Sequence, residues 1–149
     1  LKERFYIEAA AEYAKRLGAY CRLQITQLPE ERLPKAPSPA QIEAALAREG
    51  QAILSSLPPR SSLIALCVEG KPYSSEALAH LMADWSGRGE SQLAFAIGGS
   101  FGLHPPVKQR AWVRLSMSPM TFPHHLARVM LLEQIYRGFS ILEGSRYHK

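Results

Sequence analysis

The sequence predicts an α/β domain with a mostly parallel sheet, on three observations. Segments of helical and strand character take turns along the 149 residues, as they do where helices cover a sheet. The run Leu63 to Val68 is apolar at every position, the pattern of a strand buried on both faces. A second apolar run, Leu93 to Ile97, leads straight into Gly98, Gly99 and Gly102, where a backbone without Cβ atoms can turn sharply against a ligand. The length suits one domain spanning 1–149 with a core of its own.

The elements follow in order. A first helix is expected over Lys2 to Leu17, with Tyr6, Ala10, Tyr13 and Leu17 on one stripe and Gly18 stopping it. Cys21 to Thr26 alternates apolar and polar residues, which predicts a half-covered strand. Four prolines between Pro29 and Pro39, among charges of both signs, make a surface loop. Ser38, Pro39 and Gln41 then supply the cap, first-turn proline and capping box of a helix carrying Ile42, Leu46 and Ile53. After the strand at Leu63 to Val68, Glu69 to Pro72 reads as a turn. Leu78, Leu81, Met82 and Trp85 recur at helical spacing, so the next helix packs one face and ends near Gly87. Beyond the glycine strand come a short basic helix near Pro106 to Arg110 and a strand at Trp112 to Ser116. Ser116 to Pro123 has no period and is a loop, apolar for a solvated one.

The last helix, His124 to Ile141, carries Leu126, Val129, Met130, Leu131, Leu132, Ile135, Tyr136 and Phe139 over more than half its circumference. Such a helix needs cover on two sides. In a chain this small the second cover is expected to be a partner subunit, which predicts a homodimer built on this helix.

Charge is informative by its placement. The net charge is +5, and the whole excess lies after Leu103, in Lys108, Arg110, Arg114, Arg128, Arg137, Arg146 and Lys149 against Glu133 and Glu143 alone. Two readings stand, a solvated basic surface and a footprint for a phosphate backbone. No apolar run is long enough to span a bilayer and the charged start is no signal sequence, so a cytoplasmic location is expected. Cys21 and Cys67 form no Cys-x-x-Cys pair and read as buried reduced thiols.

The glycines are spaced Gly-Gly-x-x-Gly, which is not the dinucleotide fingerprint, and no Gly-Lys-Ser/Thr follows to cradle phosphates. No His-Glu-x-x-His or Gly-x-Ser-x-Gly is present. The adjacent His124 and His125 point apart at a helix start without a Cys or Asp beside them, so no metal is expected. His80 reads as an exposed helix residue. His104, just after the glycine turn, either contacts a ligand or fixes the loop. Arg146-Tyr147-His148-Lys149 puts a titratable ring, an aromatic and two cations on the chain end, a catalytic candidate or a solvated, fraying tail.

Four blocks in order, Ile97 to His104, Leu115 to His124, Arg128 to Arg137 and Tyr147-His148-Lys149, closely resemble the RlmH family over essentially the entire chain. Those proteins are SPOUT-class methyltransferases that use S-adenosylmethionine to methylate N3 of a pseudouridine in 23S rRNA of the ribosome. The resemblance implies an α/β fold with a C-terminal trefoil knot, an exception to the rule against threaded loops. It implies a cofactor site made of Leu66, Gly98, Gly99, Gly102, Met117, Ser118, Pro119, Met120, Thr121 and Phe122. Arg137, Tyr147 and His148 match positions serving RNA or catalysis, and Lys108, Arg110, Arg128, Arg146 and Lys149 are candidates for RNA contact. Family members begin with a short apolar strand and a Gly-Lys ahead of the segment matching Leu1 to Phe5, so the natural protein is expected to be longer by roughly 5 to 10 residues. The other functional reading is a dimeric RNA-binding module that keeps the fold without the chemistry. The intact glycines and the Met117 to Phe122 run argue against it.

Overall fold

The computed structural model describes residues 4–148. Its elements are α1 (Arg4–Leu17), α2 (Pro39–Ser56), β1 (Ser61–Pro72), α3 (Ser75–Trp85), β2 (Gln92–Ile97), α4 (Pro105–Arg110), β3 (Val113–Ser116) and α5 (His124–Leu142). The class is α/β with a parallel sheet, as expected. Internal contacts divide the chain into two compact units, one formed by Thr26–Pro72 and Glu90–Thr121, the other by residues up to Ile25, Tyr73–Gly89 and the chain from Phe122 onward.

The first unit holds the sheet, in the order β2-β1-β3, with both neighbours parallel to β1. Ser61 to Ala65 are all buried, as the unbroken apolar run requires. Leu63, Ala65, Ala96, Leu103 and Val107 form one core cluster, and Ile53, Leu54 and Leu57 at the end of α2 pack on it. Helix α2 starts where its capping chemistry dictates. The Ser38 hydroxyl accepts from the Gln41 N–H at 3.2 Å, and the Gln41 side chain accepts from the Ser38 N–H at 2.8 Å, satisfying donors that the helix itself leaves open.

Two expectations are corrected. Glu69 to Pro72 is not a turn but the far part of β1, which leaves its register at Leu66 and rejoins β3 at Lys71 opposite Leu115. Gly70 permits this, because a Cβ there would lie 2.8 Å from the backbone of Arg114. Cys21 to Thr26 is not a strand. Cys21 and Leu23 are half-buried, but Ile25 is exposed and the alternation ends there; a strand also needs a partner for its backbone groups, and this segment joins no ladder among the described residues.

The second unit is helical. Helix α5 is met by both α1 and α3, so the chain covers two sides of it by itself. The approach of α3 is close at Gly138, where a Cβ would fall 2.7 Å from Met82 Sδ. Leu131, Leu132 and Ile135 are buried, while Leu126 to Met130 remain half-buried. The observed α1 begins at Arg4; Lys2, placed in the first helix from the sequence, lies outside the described residues. No helix of the described chain is long and apolar enough to cross a membrane.

Candidate functional site

Parallel register decides what lies together at the carboxyl edge of the sheet. Leu66 of β1 is paired with Ile97 of β2 on one side and Leu115 of β3 on the other. Gly98 directly follows Ile97, and Met117 follows the last residue of β3. The chain passes from β1 to β2 on one side and then to β3 on the other, so Leu66 stands at the point where the strand order reverses, the place open parallel sheets use for ligands. Three candidates far apart in sequence are thereby brought to one edge.

The glycine turn is tight. The Gly102 N–H donates to the Gly99 carbonyl at 3.1 Å, and these two residues form an isolated bridge. Gly102 has φ +83°, a conformation open to glycine and strained for other residues. At Gly98 an added Cβ would sit 2.5 Å from the carbonyl carbon and oxygen of Gly102, whereas at Gly99 it would meet the carboxylate end of Glu30 at 2.9 Å. The backbone closure therefore depends on Gly98 and Gly102.

The loop after β3 is held by its own side chains. Ser116 Oγ donates to the Ser118 carbonyl at 3.1 Å, and the Met120 N–H donates to Ser118 Oγ at 3.0 Å. This fold leaves Met120 71% exposed, an apolar side chain presented rather than packed. A methylsulfonium nucleoside is cationic and lacks phosphate, so it calls for apolar walls, backbone amides and a close turn. Leu66, Gly98, Met117 and Met120 fit those needs. Phe122, at the end of the loop, begins the segment assigned to the helical unit.

A cavity of about 250 Å³ also borders this turn, lined by Glu30, Glu31, Glu49, Ile42, Ser100 and Phe101 among others. Its carboxylates disfavour phosphate, and it includes none of Leu66 or Met117 to Thr121. His104 stands at the N-cap position of α4 and its Nε2 lies 3.1 Å from Glu43 Oε1, the kind of contact that fixes the loop. Among the described residues no cluster of His, Cys, Asp and Glu suits a metal ion.

The chain end forms a second polar assembly, within the helical unit. Helix α5 terminates with the Ser145 N–H donating to the Ser140 carbonyl at 2.9 Å and Gly144 at φ +76°, a left-handed cap that turns the tail back. Tyr147 OH donates to Glu133 Oε2 at 2.8 Å. Arg137 grips both oxygens of Glu133, at 3.3 and 2.7 Å, and lies over the Tyr147 ring at 4.9 Å. Its Nη1 is 3.1 Å from His148 Nδ1, while His148 Nε2 is 2.8 Å from Glu76 Oε2. Arg137, Tyr147 and His148, named together from the sequence, are thus assembled into one network, and the tail is docked.

Glu133 and Glu76 are the members that sequence reasoning missed. The Glu133–Arg137 spacing of four on a helix was a usable signal, but Glu76 lies 72 residues from His148, and no local pattern links them. Burial works to raise the Glu133 carboxyl, yet the Arg137 and Tyr147 hydrogen bonds outweigh it and hold the group below the usual range. The Tyr147 phenol is pushed up to about 12, by burial first and then by the Glu133 carboxylate that accepts its hydrogen bond.

The remaining cationic candidates differ in their engagement. Lys108 is paired with Glu69, and Arg110 donates to the Ser61 carbonyl at 2.9 Å, so both hold the sheet unit together. Arg128 is half-buried and Arg146 is exposed. Lys149 lies outside the described residues. In a comparison with known families, the model described as predicted SPOUT methyltransferase matches residues 1–148.

Proposed function

Because the chain belongs to the SPOUT methyltransferase family, whose members take their methyl group from S-adenosylmethionine, we propose that it methylates N3 of a pseudouridine in 23S ribosomal RNA. The observation that carries this reading is the ladder register that gathers Leu66, Gly98 and the Met117 to Thr121 loop at the carboxyl edge of the sheet. The RlmH resemblance of these blocks and of the tail supplies the acceptor, and the C-terminal knot belongs to the same reading.

When bound, the donor supplies an electrophilic methyl on a sulfonium, whose carbon–sulfur bond breaks as the new nitrogen–carbon bond forms. The protein's share is alignment and proton removal. Leu66, Met117 and Met120 would wall the adenine, and the turn at Gly98, Gly99 and Gly102 would let backbone amides approach. The N3–H of the base must lose its proton, and His148 Nδ1 takes it. Tyr147 keeps its own proton in this environment and acts as a donor. Arg146, with Arg128 and Lys149, contacts the phosphate backbone. Two copies associate through the half-buried Leu126 to Met130 stretch of α5 and its surroundings.

Two measurements test this reading. Calorimetry with S-adenosylmethionine should saturate at one site per chain, and methyl transfer should appear on ribosomes whose target is a pseudouridine. Donor heat without transfer to any ribosomal RNA would defeat the acceptor assignment. Silence at millimolar donor would favour the non-catalytic RNA-binding module.

A further inference from the structure

We infer that Glu76 is a positioning residue that fixes His148 as the Nε2–H tautomer and leaves Nδ1 as the one ring atom able to accept a proton. This rests on the reading that His148 takes the N3 proton. A guanidinium only donates, so Arg137 Nη1 at 3.1 Å requires a lone pair on Nδ1. An ionised carboxylate only accepts, so Glu76 Oε2 at 2.8 Å requires a proton on Nε2. Glu76 is held ionised by that same contact, its carboxyl being lowered chiefly by the hydrogen bond to His148.

The two requirements come from different helices and agree. The ring itself meets Glu76 of α3 and Arg137 of α5; His80 acts on Glu76, and Glu133 and Tyr147 engage Arg137. Helix α3 is itself braced at this point, since Ser75 Oγ donates to Gln134 Oε1 at 2.6 Å and Gln134 Nε2 donates to Glu133 Oε1 at 2.9 Å. Glu76 is thereby anchored one residue from a hydrogen-bonded tie to α5. The Nδ1 lone pair faces the Arg137 guanidinium in this structure, so taking the N3 proton means exchanging that contact for the substrate's.

The test combines the imidazole ¹⁵N spectrum of the full chain with steady-state methyl transfer to ribosomes, for the wild type and for Glu76→Ala, Glu76→Gln and His148→Ala. The wild type should show His148 protonated at Nε2. Glu76→Ala should introduce the other tautomer and lower kcat about tenfold, the loss expected for a charge-assisted hydrogen bond, with donor affinity unchanged. Glu76→Gln, whose amide oxygen still accepts from Nε2–H, should retain the tautomer and recover most of kcat. A wild-type ring protonated at Nδ1, or a Glu76→Ala chain with wild-type tautomer or wild-type kcat, overturns the inference. Full transfer by His148→Ala defeats the reading of His148 as proton acceptor, a separate outcome from a defect confined to the Glu76 variants.

Discussion

Alanine at Gly98 is the substitution on which the glycine turn depends most. Its Cβ would lie 2.5 Å from the Gly102 carbonyl carbon and oxygen and 3.0 Å from Gly102 Cα, where ordinary contact is 3.4–4 Å. The neighbour is backbone on the far arm of the same turn, so relief requires parting the two arms by about 1 Å. Overpacking of this kind costs about 1–3 kcal/mol, and losing the 3.1 Å bond between Gly102 and Gly99 adds about 1 kcal/mol. If the open turn is the form that folds, donor affinity should fall by about 30- to 1,000-fold. Gly99→Ala meets the ends of the Glu30 and Glu49 side chains, at 2.9 and 3.6 Å, and the closer one can rotate away, so it should stay within about 0.5 kcal/mol of wild type. Gly102→Ala has open space but a positive φ and should cost about 1–2 kcal/mol. Calorimetry with S-adenosylmethionine and urea unfolding on the three variants would rank them Gly98, Gly102, Gly99 in severity. Wild-type donor affinity in Gly98→Ala, or equal losses in Gly98→Ala and Gly99→Ala, would refute the reasoning.

Other consequences can be checked separately. The Tyr147 phenol titrates at about 12 in the folded chain and near 10 when unfolded, so the folded state holds more protons between those values. The stability it contributes is complete below about pH 10 and lost as pH rises toward 12. A tyrosinate difference spectrum against Tyr147→Phe should show this late titration, advanced in Glu133→Gln; titration together with the ordinary tyrosines would disprove the pairing. Removing Tyr147 to Lys149 should spare donor affinity and abolish methyl transfer to ribosomes, and full transfer would take the tail out of the reaction. Sedimentation should give two chains per particle, whereas a monomer at assay concentration would end the case for association through α5.

Much of the fold was legible because its signals are local. The Ser38–Gln41 capping box, the buried stripe of Leu78, Leu81 and Met82, and the unbroken Leu63 to Val68 run each depend on neighbours a few residues away. The misread segments depended on distant partners. Gly70 looks like a turn residue until the backbone of Arg114 is laid against it, and Cys21 to Thr26 has the alternation of a strand without a ladder to join. The candidate site divides in the same way. The glycine spacing marked the turn, but only the fold distinguishes Gly98, pressed on Gly102, from Gly99, facing a movable side chain. Tyr147 and His148 were visible as chemistry at the chain end and Arg137 through the family resemblance, while Glu76, which orients the histidine, is contributed by another helix.

The account stands most directly on where the donor binds. With methyl-labelled methionines, titration of the full chain with S-adenosylmethionine should shift the Met117 and Met120 resonances in step with saturation and leave Met82 of α3 at its original position. Saturable binding that leaves Met117 and Met120 unmoved would contradict the assignment of the sheet's carboxyl edge as the methyl-donor site.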